Sequence, residues 1–322
     1  MKTTRTITRA FCVELQQELS IVAARREYFS QELPRARFEF LCSSEACRAQ
    51  GVKVTGVRYD VKPQEHPTFV AAHFRANPHY EHDTSCEWVD EQPQSEEAPP
   101  AEDDTPETQV RKVRRKLDDY IDVFDPTIRD ALKASPSAPS PELPATEKPA
   151  LPAEGSGKPK RTERTETRTS NFERLVDSFR QAQAQLTKEE LALLTLRVPD
   201  QGEVSLRGYF RHIKFAQAGD ERRGLYGGAR VERYGAGFKF TFFDRPQGKL
   251  ATLYASPAQM QAYRHSRYIS ELLSHAEDVK FFTVFALGAL VASPSGKSLS
   301  VEIEDLRHLA IVLGPAKEAS AS

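Results

Sequence analysis

The sequence predicts an α+β multidomain protein: a small cysteine-bearing domain, a disordered linker, and a C-terminal, mainly antiparallel β domain of barrel-like form with helices. Three observations predict it. Three of the four cysteines fall between Phe40 and Trp88, alongside four of the eight histidines. After Trp88 the composition turns to Pro, Ser, Ala and charge, which cannot bury enough apolar surface to offset chain entropy. From Glu203 to Leu313, apolar runs with strand alternation follow one another, divided by Gly and Asp/Pro turns. The boundaries fall at 1–90, 91–165 and 166–316.

At 322 residues the chain has room for one or two domains. Its net charge of -1 says nothing of partners, because basic and acidic segments cancel. The opening MKTTRTITRAF holds no apolar run long enough for a signal peptide, and no stretch approaches the ~20 apolar residues of a membrane span. A cytoplasmic protein without membrane association is expected.

Cys42 and Cys47 form C-x4-C, and His82 with Cys86 forms H-x3-C further on. Two short-range pairs let two turns of backbone each present two donors to one ion, the arrangement of a tetrahedral, structural zinc site. The competing reading, ordinary buried thiols, leaves a region poor in large apolar residues without a staple. A disulfide fits less well, since thiols of a cytosolic protein stay reduced. His66, His73 and His79 compete with His82 for the fourth position, and His82 gives the tighter chelate.

On the paired cysteines, the His73–Phe74 dipeptide and the later His82 and Cys86, the first 90 or so residues resemble the zinc-finger-like N-terminal region of the competence protein CoiA and its relatives. That resemblance implies a bacterial, DNA-related setting. It also implies a following nuclease-like domain, which would need an acidic residue with E-x-K to hold a metal. No E-x-K occurs in this sequence, and the D-x-K runs at Asp60–Lys62 and Asp278–Lys280 lack convincing acidic company.

In chain order, Phe11, Val13, Leu15, Leu19 and Ile21 suit a strand or a helix equally. A helix is expected over 23–31, ended by Pro34, after which Phe38 and Phe40 alternate in a strand that delivers Cys42. Val52, Val54 and Val57 suggest the next strand. Within the linker, Val110, Val113, Leu117, Tyr120, Ile121 and Phe124 form one apolar stripe, so an amphipathic helix is expected near 109–130, either transient or a docking helix for a protein partner. Order resumes near Ser170 with a capped helix carrying Phe172, Leu175, Val176 and Phe179. A second begins at the capping box Thr187–Glu190 and is stopped by Pro199. Ser256 caps a helix with Pro257 at its first position.

Three or four antiparallel strands, a helix and a closing hairpin is the element order of an oligonucleotide-binding barrel, which the "LRGYF" and "FKFTFFD" strands and the last hairpin also resemble. An SH3-like barrel or a plain α+β sheet remains open. Between 205 and 250 stand ten basic and four acidic side chains, an excess of six on a nearly neutral chain. If Leu206 and Phe210 face the core, Arg207, Tyr209 and Arg211 share the outer face, where arginines flanking a ring suit a single strand with stacked bases. Lys214, Arg230, Arg233, Lys239 and Phe243 extend that surface, while Phe238, Phe240 and Phe242 fill the barrel. The competing reading is a solvated basic face.

Two tempting motifs are declined. Ser295–Ser298, SGKS, lacks the earlier glycine of a phosphate loop and reads as a hairpin turn. His265, His275 and His308 lack the nucleophile or carboxylate cluster of a catalytic centre, so no catalytic residue is assigned. The expectation is a non-enzymatic, DNA-associated accessory protein with a zinc-stabilised N-terminal module and a C-terminal module for single-stranded nucleic acid. A protein-interaction adaptor is the alternative, and an unrecognised metal-dependent nuclease the third.

Overall fold

The computed structural model describes residues 7–65, 69–89, 106–117, 120–127 and 167–318. The ambiguous opening is a hairpin: β1 (Arg9–Cys12) pairs antiparallel with β2 (Gln17–Ser20). Ser20 then caps α1 (Ile21–Ser30), its hydroxyl accepting from the Ala23 amide. β3 (Phe40–Cys42) delivers the first thiol, α2 (Glu45–Ala49) carries the second, and β4 (Lys53–Val57) and β5 (His73–Ala76) complete a sheet of order β2-β1-β3-β4-β5. Phe38, Phe40, Tyr59 and Phe74 pack ring against ring at its centre.

Most of 91–165 lies outside the described residues. Where it is described, the amphipathic stretch differs from the expected single helix over 109–130. α3 (Pro106–Arg115) ends early, and Val123–Phe124 form strand β6, beside β7 (Arg168–Thr169). The apolar stripe packs on the protein's own core: Val113, Leu117, Tyr120, Ile121 and Phe124 are buried with Phe172, Leu175 and Phe179. The last three belong to α4 (Phe172–Gln185), capped by Asn171, close to where order was expected to resume. α5 (Lys188–Ala192) opens on the predicted capping box of Thr187 and Glu190. Pro199 ends a strand rather than that helix, because Leu196 and Val198 alternate inward in β8 (Thr195–Val198), paired with β9 (Gly202–Ser205).

The stretch expected as a first barrel strand departs most. Ser205 accepts from the Gly208 amide and caps a single helical turn, α6 (Leu206–Tyr209), followed by the short β10 (Phe210–His212). The helical period turns Leu206, Tyr209 and Phe210 inward together, where strict alternation would have parted Tyr209 from Phe210.

The barrel itself comprises β11 (Arg223–Tyr234), β12 (Gly237–Phe242), β13 (Leu250–Ala255), β14 (Phe282–Ala292) and β15 (Ser298–Glu302). β11 pairs with both β12 and β14, β13 runs parallel to β15, and β15 returns to β14, so five strands close into a ring of order β11-β12-β13-β15-β14. Gly288 makes closure possible, since a Cβ there would sit 2.1 Å from the Glu302 carbonyl oxygen. Between β13 and β14 lie α7 (Pro257–Ala262), with Ser256 as predicted cap, and α8 (Ser266–Leu273). β16 (Leu309–Leu313) adds to the outer side of β14. Phe238, Phe240 and Phe242 fill the interior with Leu253, Phe282 and Val284, as alternation predicts.

The N-terminal sheet does not stand apart from the barrel. Phe29 of α1 joins the barrel core beside Tyr268 of α8. Next to it Arg25 donates to Glu173 and Asp177 (3.1 Å each), Arg26 donates to Glu173 (2.8 Å), and the Tyr268 hydroxyl donates to Glu173 (2.7 Å). Burial alone pushes the Glu173 carboxyl up, but Arg26 and Arg25 reverse this and hold it below its usual range.

Candidate metal cluster and barrel face

Cys42, Cys47, His82 and Cys86 converge so that their ligand atoms all lie within 4.8 Å of one another, a group that can hold a metal ion. Local folding explains the convergence. Cys42 ends β3, and a turn through α2 brings Cys47 back so that the Cys42 amide bonds the Val52 carbonyl. On the second arm Cys86 donates its amide to the Asp83 carbonyl, closing a tight turn, while the Asp83 amide points at Cys47 Sγ (3.2 Å). Trp88 Nε1 donates to Ser43 Oγ (2.8 Å) and ties the two arms together.

Cys42 Sγ lies 3.6 Å from Cys86 Sγ, and His82 Nδ1 lies 3.7 Å from Cys47 Sγ and 3.5 Å from Cys86 Sγ. Burial pushes the Cys42 and Cys86 thiols up and the His82 imidazole down, so without an ion the cluster favours its neutral forms. A bound cation reverses that preference for thiols. His73 and His79 are not in the cluster: the first faces the Ala71 carbonyl and the second is exposed. His66 lies outside the described residues. Cys12 is buried elsewhere in the module, beside Glu14.

The expected basic groove of Arg207, Tyr209 and Arg211 does not form. Tyr209 is only 3% exposed, with its ring against Phe124 and Phe210, and offers no stacking face. Arg207 is exposed on α6, whereas Arg211 is held by Asp220 at 2.8 Å. Lys214 lies over Phe215 in the turn after β10. Arg233, near the end of β11, donates to the Ser270 carbonyl.

Arg230, Lys239 and Phe243 instead share the outer face of β11, β12 and β13. Register places Glu232 beside Lys239 and Lys239 beside Tyr254, with Arg230 beside Thr241 and Thr241 beside Thr252. Tyr234, Phe243 and Tyr254 are 45%, 48% and 48% exposed, and Leu250 on the same face is also exposed. Tyr234 and Tyr254 meet edge to face, and Arg230 lies over the Phe243 ring at 5.4 Å. Lys239 bonds both Glu232 and the Tyr234 hydroxyl at 3.0 Å. Sequence reasoning missed Tyr234, Leu250 and Tyr254. The signal was present in β13, where Ala251, Leu253 and Ala255 turn inward and leave Leu250, Thr252 and Tyr254 outside.

No family model matches the chain, and no curated protein matches it significantly. Among the described residues, no helix is long and apolar enough to cross a membrane.

Proposed function

We propose that this protein binds single-stranded nucleic acid on the outer face of β11, β12 and β13, and that zinc staples its N-terminal module. The observation that carries the reading is the exposure of Tyr234, Phe243 and Tyr254 together on one barrel face that also bears Arg230 and Lys239. Large rings are left in water at a cost, and a contiguous exposed patch marks an interaction surface. Interleaved with cations, such rings give bases a stacking platform and phosphates a counter-charge. The ring order of the strands, with helices between the third and fourth, supports assignment to the oligonucleotide-binding class. There the second and third strands and the adjoining loops take the ligand.

Zinc suits the cluster chemically and metrically. Three thiolates and an imidazole are a zinc donor set, and bond lengths of about 2.3 Å to sulfur and 2.0–2.1 Å to nitrogen give tetrahedral edges of about 3.8 and 3.6 Å. Three of the six separations, 3.6, 3.5 and 3.7 Å, fall close to those edges, and all six lie within 4.8 Å. The resemblance of this module to the CoiA zinc-finger-like region supports DNA as the polymer.

Fluorescence anisotropy with a labelled single strand tests the binding face. Tyr234→Ala and Tyr254→Ala should each cost about 1–3 kcal/mol with an unchanged salt slope, because stacking is lost and no charge is removed. Arg207→Ala, off that face, should bind close to the parent. Parent-like binding by both tyrosine variants would exclude this face. Binding of the parent no tighter than that of any mildly basic surface would favour the protein-adaptor reading.

A further inference from the structure

Where the N-terminal sheet meets α4, a pocket opens that the metal cluster and the barrel face do not use. Its walls carry Arg25 of α1, Arg58 and Lys62 of the loop after β4, and Asp177 and Arg180 of α4, with Phe69 against the Arg180 guanidinium.

The charges at this junction do not balance. Four guanidiniums, Arg25, Arg26, Arg58 and Arg180, meet two buried carboxylates, Glu173 and Asp177, and the exposed Glu65, while Arg180 Nη2 donates to the Gln64 carbonyl (2.8 Å). Glu173 is shared between two arginines and Tyr268, and Asp177 lies 3.1 Å from Arg25 but 3.9 Å from Arg180. The Arg25 and Arg180 side chains are only 5% and 10% exposed. Arg25 Nε and Arg180 Nη1 nevertheless lie buried with no hydrogen-bond partner among the described residues. Buried charge and buried donors without partners are costly. Lys62 is engaged by Glu271 (2.7 Å) and His275 (2.6 Å), but the Arg58 side chain has no ion pair among the described residues. Arg58 is also held at φ 59°, a conformation that non-glycine residues keep only where the surroundings impose it, often at ligand clamps.

We propose that this pocket binds a phosphate-class oxyanion, held between Arg25, Arg58 and Arg180. Guanidinium forks match the oxygens of phosphate, and an anion at the mouth of the pocket offsets the excess positive charge. Asp177 on the same wall opposes the anion, so the pocket is selective for a ligand that reaches several arginines at once. The phosphate can be a free ion or the terminal phosphate of a nucleic acid. The proposal stands apart from the barrel face.

Titration calorimetry of the full chain with inorganic phosphate, at constant ionic strength against chloride, should give one saturable site. Arg58→Gln should weaken it about tenfold or more. Arg58 anchors no other described side chain, so this variant keeps the fold. Arg245→Gln, an exposed arginine elsewhere, should not change it. Tetranucleotides ending in a 5′-phosphate or a 5′-hydroxyl distinguish the sources. A preference for the phosphorylated end that Arg58→Gln abolishes assigns nucleic acid, and phosphate saturation without such a preference assigns the free ion. The absence of both, or an Arg58→Gln protein that binds like the parent, overturns the pocket. Hydroxyl-ended oligonucleotides report the barrel face alone, so failure of either site is read separately.

Discussion

The N-terminal sheet and the C-terminal barrel bury their residues by different means. The barrel fills its interior with Phe238, Phe240, Phe242 and Phe282 from facing strands and closes on itself, leaving few edges to protect. The N-terminal sheet has its ring cluster of Phe38, Phe40, Tyr59 and Phe74 at its centre, in one core with Cys42, Cys47 and Cys86 of the group that can hold a metal. A core of that size gains much from a staple, and the cluster lies where long loops must be held. The two regions are then joined by ion pairs at Arg25, Arg26, Glu173 and Asp177, where geometry has to be good for charge to be buried at all.

The comparison breaks most directly at the cluster. Cys47→Ser should abolish metal retention and remove most of the stability of the N-terminal sheet, since structural zinc contributes folding energy outright. Metal analysis with thermal melting checks this, and the barrel should keep its own transition. A variant that retains both metal and fold would show that the staple is dispensable.

The next largest effect is expected at the junction. Glu173→Gln leaves Arg25 and Arg26 short of a carboxylate and should cost about 3–5 kcal/mol in denaturant unfolding, as breaking a buried ion pair does. A loss below about 1 kcal/mol would mean that the two regions are only loosely coupled.

The barrel side has a pH dependence of its own. Burial, with repulsion from Arg26 and Arg264, lowers His265 to about 4, and burial with Arg222 and Arg307 lowers His308 to about 4. Both are therefore neutral in the fold and take up protons more readily when unfolded. Their contribution is complete above about pH 6.5 and is lost as pH falls towards 4, on the order of 2–3 kcal/mol for each. Arg222 Nη2 donates to His308 Nδ1 at 3.1 Å, which requires that nitrogen to be unprotonated. Urea midpoints should fall steadily from pH 7 to pH 4, and His308→Gln should flatten the profile.

The smallest effect concerns affinity. Glu232 engages Lys239 and Tyr234 on the proposed binding face, so Glu232→Gln frees a cation and should tighten oligonucleotide binding about twofold. Weaker binding would indicate that Glu232 positions Tyr234.

How much of this was legible follows from how local each signal is. The convergence of Cys42, Cys47, His82 and Cys86 was readable because C-x4-C and H-x3-C are each a local spacing, and His82 follows from the tighter of those available. The inward faces of β12 and the caps at Thr187 and Ser256 were readable because alternation and capping act within a few residues. The Tyr209 reading failed for the same reason: Ser205 turns the chain into a helical turn, and the period changes from two to nearly four over four residues. The glutamate and aspartate that hold Arg25 lie about 150 positions away, so nothing near α1 announced that its arginines are buried. The stripe from Val113 to Phe124 was recognised as amphipathic, but its partner, α4, lies beyond a long intervening segment.

The central claim is that single strands lie on the outer face of β11, β12 and β13. Photo-crosslinking of the full chain to a thymine- or 4-thiouridine-bearing single strand, followed by mass spectrometry of the adducts, tests it most directly. Adducts should concentrate on Tyr234, Phe243 and Tyr254, and an excess of unlabelled single strand should remove them. Adducts confined to the α6–β10 segment or to the N-terminal sheet, or none under saturating oligonucleotide, would contradict the claim.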